Sequence, residues 1–143
     1  MINISAFPEK GQLMKQILLV DDSRTILAEI KALLSGEEYS VTPVASGAQA
    51  LKYLSVKTPD LIISDVLMPE MDGFRLISEI RREGFADIPV MLMTADTSEE
   101  SKQRCIEAGA EDFIAKPIVP AVLKRRVARI MELSELKKTS ADC

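Results

Sequence analysis

Gln16-Ile17-Leu18-Leu19-Val20-Asp21-Asp22 is the stretch whose reading decides the fold. After Gln16 the run is continuously apolar until two carboxylates close it. A strand with one wet face alternates apolar and polar residues, whereas a strand covered on both faces reads as an unbroken apolar run. Ser23–Ser35 follows, with Ile26, Ile30, Leu33 and Leu34 at helical spacing, and Gly36 ends it. A doubly buried strand feeding an amphipathic helix is one β-α unit of a parallel sheet.

The unit recurs along the chain. Tyr39–Ala45 is a β-branched strand interrupted by Pro43, which cannot donate to a ladder and so predicts a sheet edge. Ser46 with Gln49 resembles a capping box and predicts a helix through Leu54. Asp60–Ser64, carrying Leu61, Ile62 and Ile63, predicts a third strand. A loop over Asp65–Asp72 leads to a helix over Gly73–Glu83 with Phe74, Ile77 and Ile80 inward. Ile88–Met93 predicts the fourth strand. Thr97 with Glu100 predicts another capping box, a helix to Ala108 and a stop at Gly109. Glu111–Ala115 predicts a short last strand, and the final helix runs from about Val119 to Lys137. Repeated β-α units of this length predict an α/β fold: a doubly wound, five-stranded parallel sheet with helices on both faces. Right-handed crossovers leave few topologies, and the flavodoxin-like order 2-1-3-4-5 puts the Pro43 strand at an edge.

Composition bounds the function. The 143 residues predict one domain, read as a flexible lead over 1–14, a folded unit over 15–131, and a helical extension and tail over 132–143. A net charge of −4 argues against direct nucleic-acid binding, which usually needs a basic face. No apolar stretch approaches the roughly 20 residues of a membrane helix, so no membrane contact is expected. Two cysteines, Cys105 and Cys143, make no disulfide framework, which fits a reducing cytoplasm. The chain has no histidine, which excludes Ser-His-Asp and Cys-His catalysis and histidine metal ligation. Any phosphohistidine chemistry must draw its histidine from a partner.

The polar residues fall at strand ends. Asp21 and Asp22 close the first strand, Asp65 the third, Thr94 the fourth and Lys116 the fifth. Ligands of open parallel sheets bind beyond the carboxyl ends of the strands. In the expected order strands one and three are neighbours about 4.8 Å apart, so Asp22 and Asp65 come close enough to share a cation. Crowded carboxylates repel, and a hard divalent ion such as Mg²⁺ neutralises them with oxygen ligands. Lys116 has the flexible stem and compact charge to hold a phosphoryl oxygen, and Thr94 a hydroxyl that can donate to another. The chemistry this implies is in-line phosphoryl transfer onto the Asp65 carboxylate, with the protein supplying positioning and charge.

Plainer readings stand beside these. Asp21 and Asp22 could cap the first helix. Asp60 lies at the wrong end of its strand, and Asp72 before Gly73 makes a turn and helix start; both read as structural. Asp96, Glu99 and Glu100 complement a helix dipole. Cys105 reads as a small apolar packing residue, and Lys124, Arg125, Arg126 and Arg129 as a solvated helix face.

Five blocks together carry a resemblance: Ile17-Leu18-Leu19-Val20-Asp21-Asp22; Asp65-Val66-Leu67-Met68-Pro69; Met71-Asp72-Gly73; Met93-Thr94-Ala95; and Phe113-Ile114-Ala115-Lys116-Pro117. In order, at successive strand ends, they resemble the signature blocks of response-regulator receiver domains of two-component signalling, over about Lys15 to Met131. The resemblance implies that Asp65 is the phosphoacceptor. It implies a Mg²⁺ site made by Asp21, Asp22, Asp65 and the Leu67 backbone carbonyl. Thr94 and Phe113 take the switch positions, Lys116 the phosphate-binding position, and Lys116–Pro117 a cis peptide. The implied partners are a sensor histidine kinase or phosphotransfer protein, and a downstream protein or fused output domain.

Two residues shape the expectation further. Phe113 has no hydroxyl, so switching must work through ring packing. Leu67 cannot orient water, which predicts a long-lived acyl phosphate. The helix over 97–108 offers Cys105, Ile106 and Ala108 as apolar anchors, so that helix, the fifth strand and the final helix are the expected output surface and a possible homodimer face. Val119, Val122, Leu123, Val127, Ile130 and Met131 suffice to pack the last helix, leaving Leu133 and Leu136 beyond the domain. Such a protein is a signalling phospho-switch rather than a metabolic enzyme. The competitors are a haloacid-dehalogenase-like phosphatase, whose Asp-x-Asp and cap domain have no counterpart here, and a degenerate receiver that only binds protein.

Overall fold

The computed structural model describes residues 14–142, with side chains described through Lys137. The lead segment up to residue 13 and the side chains of the tail beyond Lys137 lie outside the described residues. Among the described residues, five strands alternate with five helices: β1 Lys15–Val20, α1 Arg24–Leu34, β2 Tyr39–Val44, α2 Gly47–Leu54, β3 Leu61–Asp65, α3 Gly73–Arg82, β4 Val90–Thr94, α4 Glu99–Ala108, β5 Asp112–Ala115 and α5 Pro120–Asp142. All strand pairs are parallel, in the order β2-β1-β3-β4-β5. Pro43 lies on the edge strand β2, opposite Leu19, where its missing donor costs least.

The period-2 geometry of the strands splits the core into two layers. Ile17 and Leu19 of β1 face one way, with Ile63, onto Ile30 and Leu34 of α1 and Leu123 and Val127 of α5. Leu18 and Val20 face the other way, with Ile62 and Leu92, onto Ala50 and Leu54 of α2 and Leu76, Ile77 and Ile80 of α3. The continuous apolar runs of β1, β3 and β4 follow directly, because both faces are covered.

Several expected boundaries move. The α4 cap is Ser98, whose hydroxyl accepts from the Ser101 N–H at 3.1 Å, so Thr97 and Glu100 are no capping box. Both Thr97 and Ser98 are competent caps, and the Asp96 carboxylate decides between them by accepting the Ser98 N–H at 3.0 Å. Ile106 is 59% exposed and anchors nothing, leaving Cys105 as the fully buried side chain of α4. Val119 is 53% exposed, because α5 starts one residue later with Pro120 at its first position. Leu133 and Leu136 are exposed on the far part of α5. Ser46 caps α2 as read, its Oγ accepting the Gln49 N–H at 3.1 Å, but Gln49 Oε1 returns to the Ala45 N–H at 2.8 Å, one residue before the cap, so the box is only half the reciprocal pair.

Candidate functional site

Parallel register brings the strand ends together. Val20 lies opposite Ser64, so Asp21 and Asp65 leave adjacent strands at the same level. Thr94 closes β4 opposite Ala115, and Lys116 follows β5. Oxygens of Asp21, Asp22 and Asp65 all lie within 4.8 Å of one another. Asp21 and Asp65 are buried and Asp22 is exposed, which gives the cluster a dry floor and a wet rim.

Lys116 reaches across the cluster. Its Nζ stands 3.0 Å from Asp65 Oδ1 and 3.3 Å from Asp21 Oδ2. Burial pushes the Asp65 carboxyl above the ordinary carboxylate range and the Asp21 charge adds to the rise, against the opposing pull of the Lys116 hydrogen bond. Burial alone would lower the Lys116 ammonium, but its bonds and attraction to Asp65 and Asp21 outweigh that and hold it above the usual lysine range. The peptide between Lys116 and Pro117 is cis.

The surrounding backbone fixes the end of β3. Gly73 N–H donates to the Val66 carbonyl at 2.8 Å, and a Cβ at Gly73 would lie 2.5 Å from the Asp65 carbonyl oxygen. Only glycine allows α3 to start so close to β3. Ser64 Oγ donates to the same Asp65 carbonyl at 3.0 Å. The role of Gly73 is not legible in sequence, where Asp72-Gly73 reads only as a helix start; Asp72 does cap α3, accepting the Arg75 N–H at 2.8 Å. Asp60 Oδ2 accepts the Gln16 N–H at 2.7 Å at the opposite end of the sheet, a structural role. Asp21 Oδ1 accepts the Ser23 N–H, while Ser23 itself caps α1, so neither Asp21 nor Asp22 is the cap.

Thr94 is buried, and its hydroxyl serves its own loop, accepting the Asp96 N–H at 3.0 Å and donating to the Asp96 carbonyl at 3.2 Å. Phe113 is half-buried, and with Thr94 it lines a cavity of about 290 Å³ bounded by α4, β5 and α5. Arg126 of the basic helix face is not merely solvated: its Nη1 pairs with Asp112 at 2.8 Å and donates to the Phe113 carbonyl at 3.3 Å. Leu67 is 76% exposed at the rim of a cleft of about 660 Å³ that contains Asp65, Thr94 and Lys116.

The family model described as the response regulator receiver domain matches residues 17–128, the span that holds every element from β1 into α5. The chain belongs to this receiver-domain family. Among relatives, the two-component response regulator ORR3 of Oryza sativa is 40% identical over 117 residues, covering 80% of this chain and 89% of that protein. The alkaline phosphatase synthesis transcriptional regulatory protein PhoP of Bacillus subtilis is 33% identical, covering 90% of this chain and 53% of that protein. This receiver domain therefore spans about half the length of that relative. Among solved structures, the chemotaxis protein CheY4 of Vibrio cholerae superposes with a TM-score of 0.77 at 34% identity, covering 82% of this chain and 98% of that one. The signal receiver domain of a histidine kinase from Syntrophus aciditrophicus gives 0.76 at 40%, covering 82% and 90%. Receiver domains are signalling domains, and the acidic cluster of this one is made of hard oxygen donors alone, without sulfur or imidazole, which suits a divalent cation. Among the described residues, no helix is long and apolar enough to cross a membrane.

Proposed function

We propose that Asp65 of this receiver domain accepts a phosphoryl group, from the phosphohistidine of a sensor kinase or phosphotransfer protein or from a small phosphodonor. The observation that carries the proposal is a cluster of three carboxylates at the carboxyl edge of the sheet, two of which, Asp21 and Asp65, pair with the Lys116 ammonium. Asp21, Asp22, Asp65 and the Leu67 backbone carbonyl would hold Mg²⁺, which supplies charge neutralisation for the crowded oxygens of carboxylates and phosphate.

The chain's own residues do the rest. An Asp65 oxygen forms the new bond to phosphorus as the bond to the donor breaks and the leaving group departs with the electron pair. Gly73 and Ser64 hold the Asp65 backbone so that the carboxylate faces the cleft without reorganisation. Lys116, already at the carboxylate, follows the incoming phosphoryl oxygens. Thr94 leaves its loop bonds to Asp96 for a phosphoryl oxygen, and Phe113 packs into the cavity between them. α4, held by one buried side chain, moves with them. The α4–β5–α5 face then presents the signal to a downstream protein, a fused output domain or a second copy. Dephosphorylation is slow, because the Leu67 side chain at the rim cannot orient a water.

Intact-mass measurement after incubation with acetyl phosphate and Mg²⁺ tests this reading. The expected result is the gain of one phosphoryl group, lost on chelation of the metal and in Asp65→Ala. A gain that survives Asp65→Ala overturns it.

A further inference from the structure

The cleft beside Asp65 contains a second cation with a different address. Arg104 projects from α4, and its Cζ lies 4.2 Å from the centroid of the Phe74 ring. Phe74 is the residue after Gly73, so the ring is tied to the backbone that packs on Asp65. Asp65, Phe74, Arg104 and Lys116 line one cleft. Lys116 is committed to Asp65 and Asp21. Of the other acids in the lining, Asp72 and Asp96 accept backbone N–H groups of Arg75 and Ser98, and Glu100, one turn before Arg104 on α4, makes no ion pair with it. No carboxylate pairs with Arg104 among the described residues. A guanidinium whose carbon lies over an aromatic ring is held by the ring's π face, and its N–H donors form a planar fork that matches a carboxylate.

We infer that Arg104 is a specificity-determining residue that receives the carboxylate leaving group of an acyl phosphate donor, with Phe74 as its positioning residue. The inference deepens the reading of Asp65 as acceptor and rests on it. In the transfer the Asp65 oxygen bonds to phosphorus, the bond between phosphorus and the acyl oxygen breaks, and the carboxylate leaves with the electron pair and no proton. Negative charge grows on that carboxylate as the bond breaks, so a contact from Arg104 strengthens in the transition state and raises the rate. A phosphoramidate, whose leaving nitrogen departs as a neutral amine, gains nothing from the same cation. Arg104 therefore biases the domain towards mixed anhydrides of carboxylic and phosphoric acid.

The test compares acetyl phosphate with phosphoramidate at one Mg²⁺ concentration, reading the rate of mass gain of the full chain. Arg104→Met is expected to slow acetyl phosphate about tenfold, the effect of one charge-assisted hydrogen bond, while changing the phosphoramidate rate less than about twofold. Arg104→Lys should recover part of the loss, and Phe74→Leu should lose selectively as well, with melting curves confirming that each variant is folded. Equal slowing with both donors, or none with either, overturns the role of Arg104. Wild-type protein that gains no mass from either donor overturns the acceptor reading itself.

Discussion

At the residue scale, Asp65 is a buried carboxylate 3.0 Å from Lys116 Nζ. Asp65 has a carboxyl raised by burial and by Asp21, so its protonated form is the one that favours folding. That contribution is fully present below the ordinary carboxylate range and is lost as pH rises through the elevated value. At neutral pH the ionised group therefore costs stability. Asp65→Asn should raise stability by on the order of 1 kcal/mol in metal-free buffer at pH 7, and the advantage should shrink on acidification. Lys116 retains Asp21 as its partner in that variant. Thermal melts across pH check both points, and a variant that melts lower at pH 7 would contradict them. Leu67→Asn places an amide at the cleft rim, and the acyl phosphate should then hydrolyse about tenfold faster. Equal lifetimes, read by mass after donor removal, would remove Leu67 from the account. Asp21, Asp22, Asp65, Thr94 and Lys116 were legible because each ends a strand. Gly73 and Arg104 were not: the demand on Gly73 comes from the Asp65 carbonyl across the loop, and that on Arg104 from a ring on another helix.

At the scale of elements, α4 differs from its neighbours. Its first turn carries Glu99 and Glu100, which suits the helix dipole, and it ends at Gly109 with φ 98°. Yet it buries only Cys105 fully, while α3 buries Leu76, Ile77 and Ile80. At its far end Arg81 of α3 bonds the Gly109 carbonyl at 3.3 Å and Glu111 at 3.5 Å. Its cleft side is held by the Arg104–Phe74 contact, and its N-terminus by Thr94 through Asp96. Hydrogen exchange of α4 and β5 should therefore change when beryllofluoride mimics the phosphoryl group. Unchanged exchange there would contradict the proposed switch. The strands and their order were readable because doubly buried strands have unbroken apolar runs and Pro43 marks an edge. The α4 cap was not, because the choice of Ser98 over Thr97 depends on Asp96, one bond outside the local pattern.

At the scale of the whole molecule, sheet and helices share two buried apolar layers, and the acidic cluster stands at the carboxyl edge of the sheet. A cation that binds the acidic cluster only in the folded state stabilises by mass action, by about 2.7 kcal/mol at a hundredfold excess over its Kd. Wild-type protein should accordingly melt higher as Mg²⁺ is added, and Asp65→Asn should lose most of that gain. A melting temperature that ignores Mg²⁺ would contradict the shared-cation reading of Asp21, Asp22 and Asp65. Overall charge and the lack of histidine only excluded classes of function; the candidate site was read from the order of the blocks along the chain, a whole-molecule signal.

The most direct measurement traps the acyl phosphate where it forms. After incubation with acetyl phosphate and Mg²⁺, borohydride reduces an aspartyl phosphate to the alcohol, and peptide mass mapping locates it. The expected result is reduction at Asp65 alone. Reduction at Asp21, Asp22 or Asp72, or none in folded protein, would contradict it.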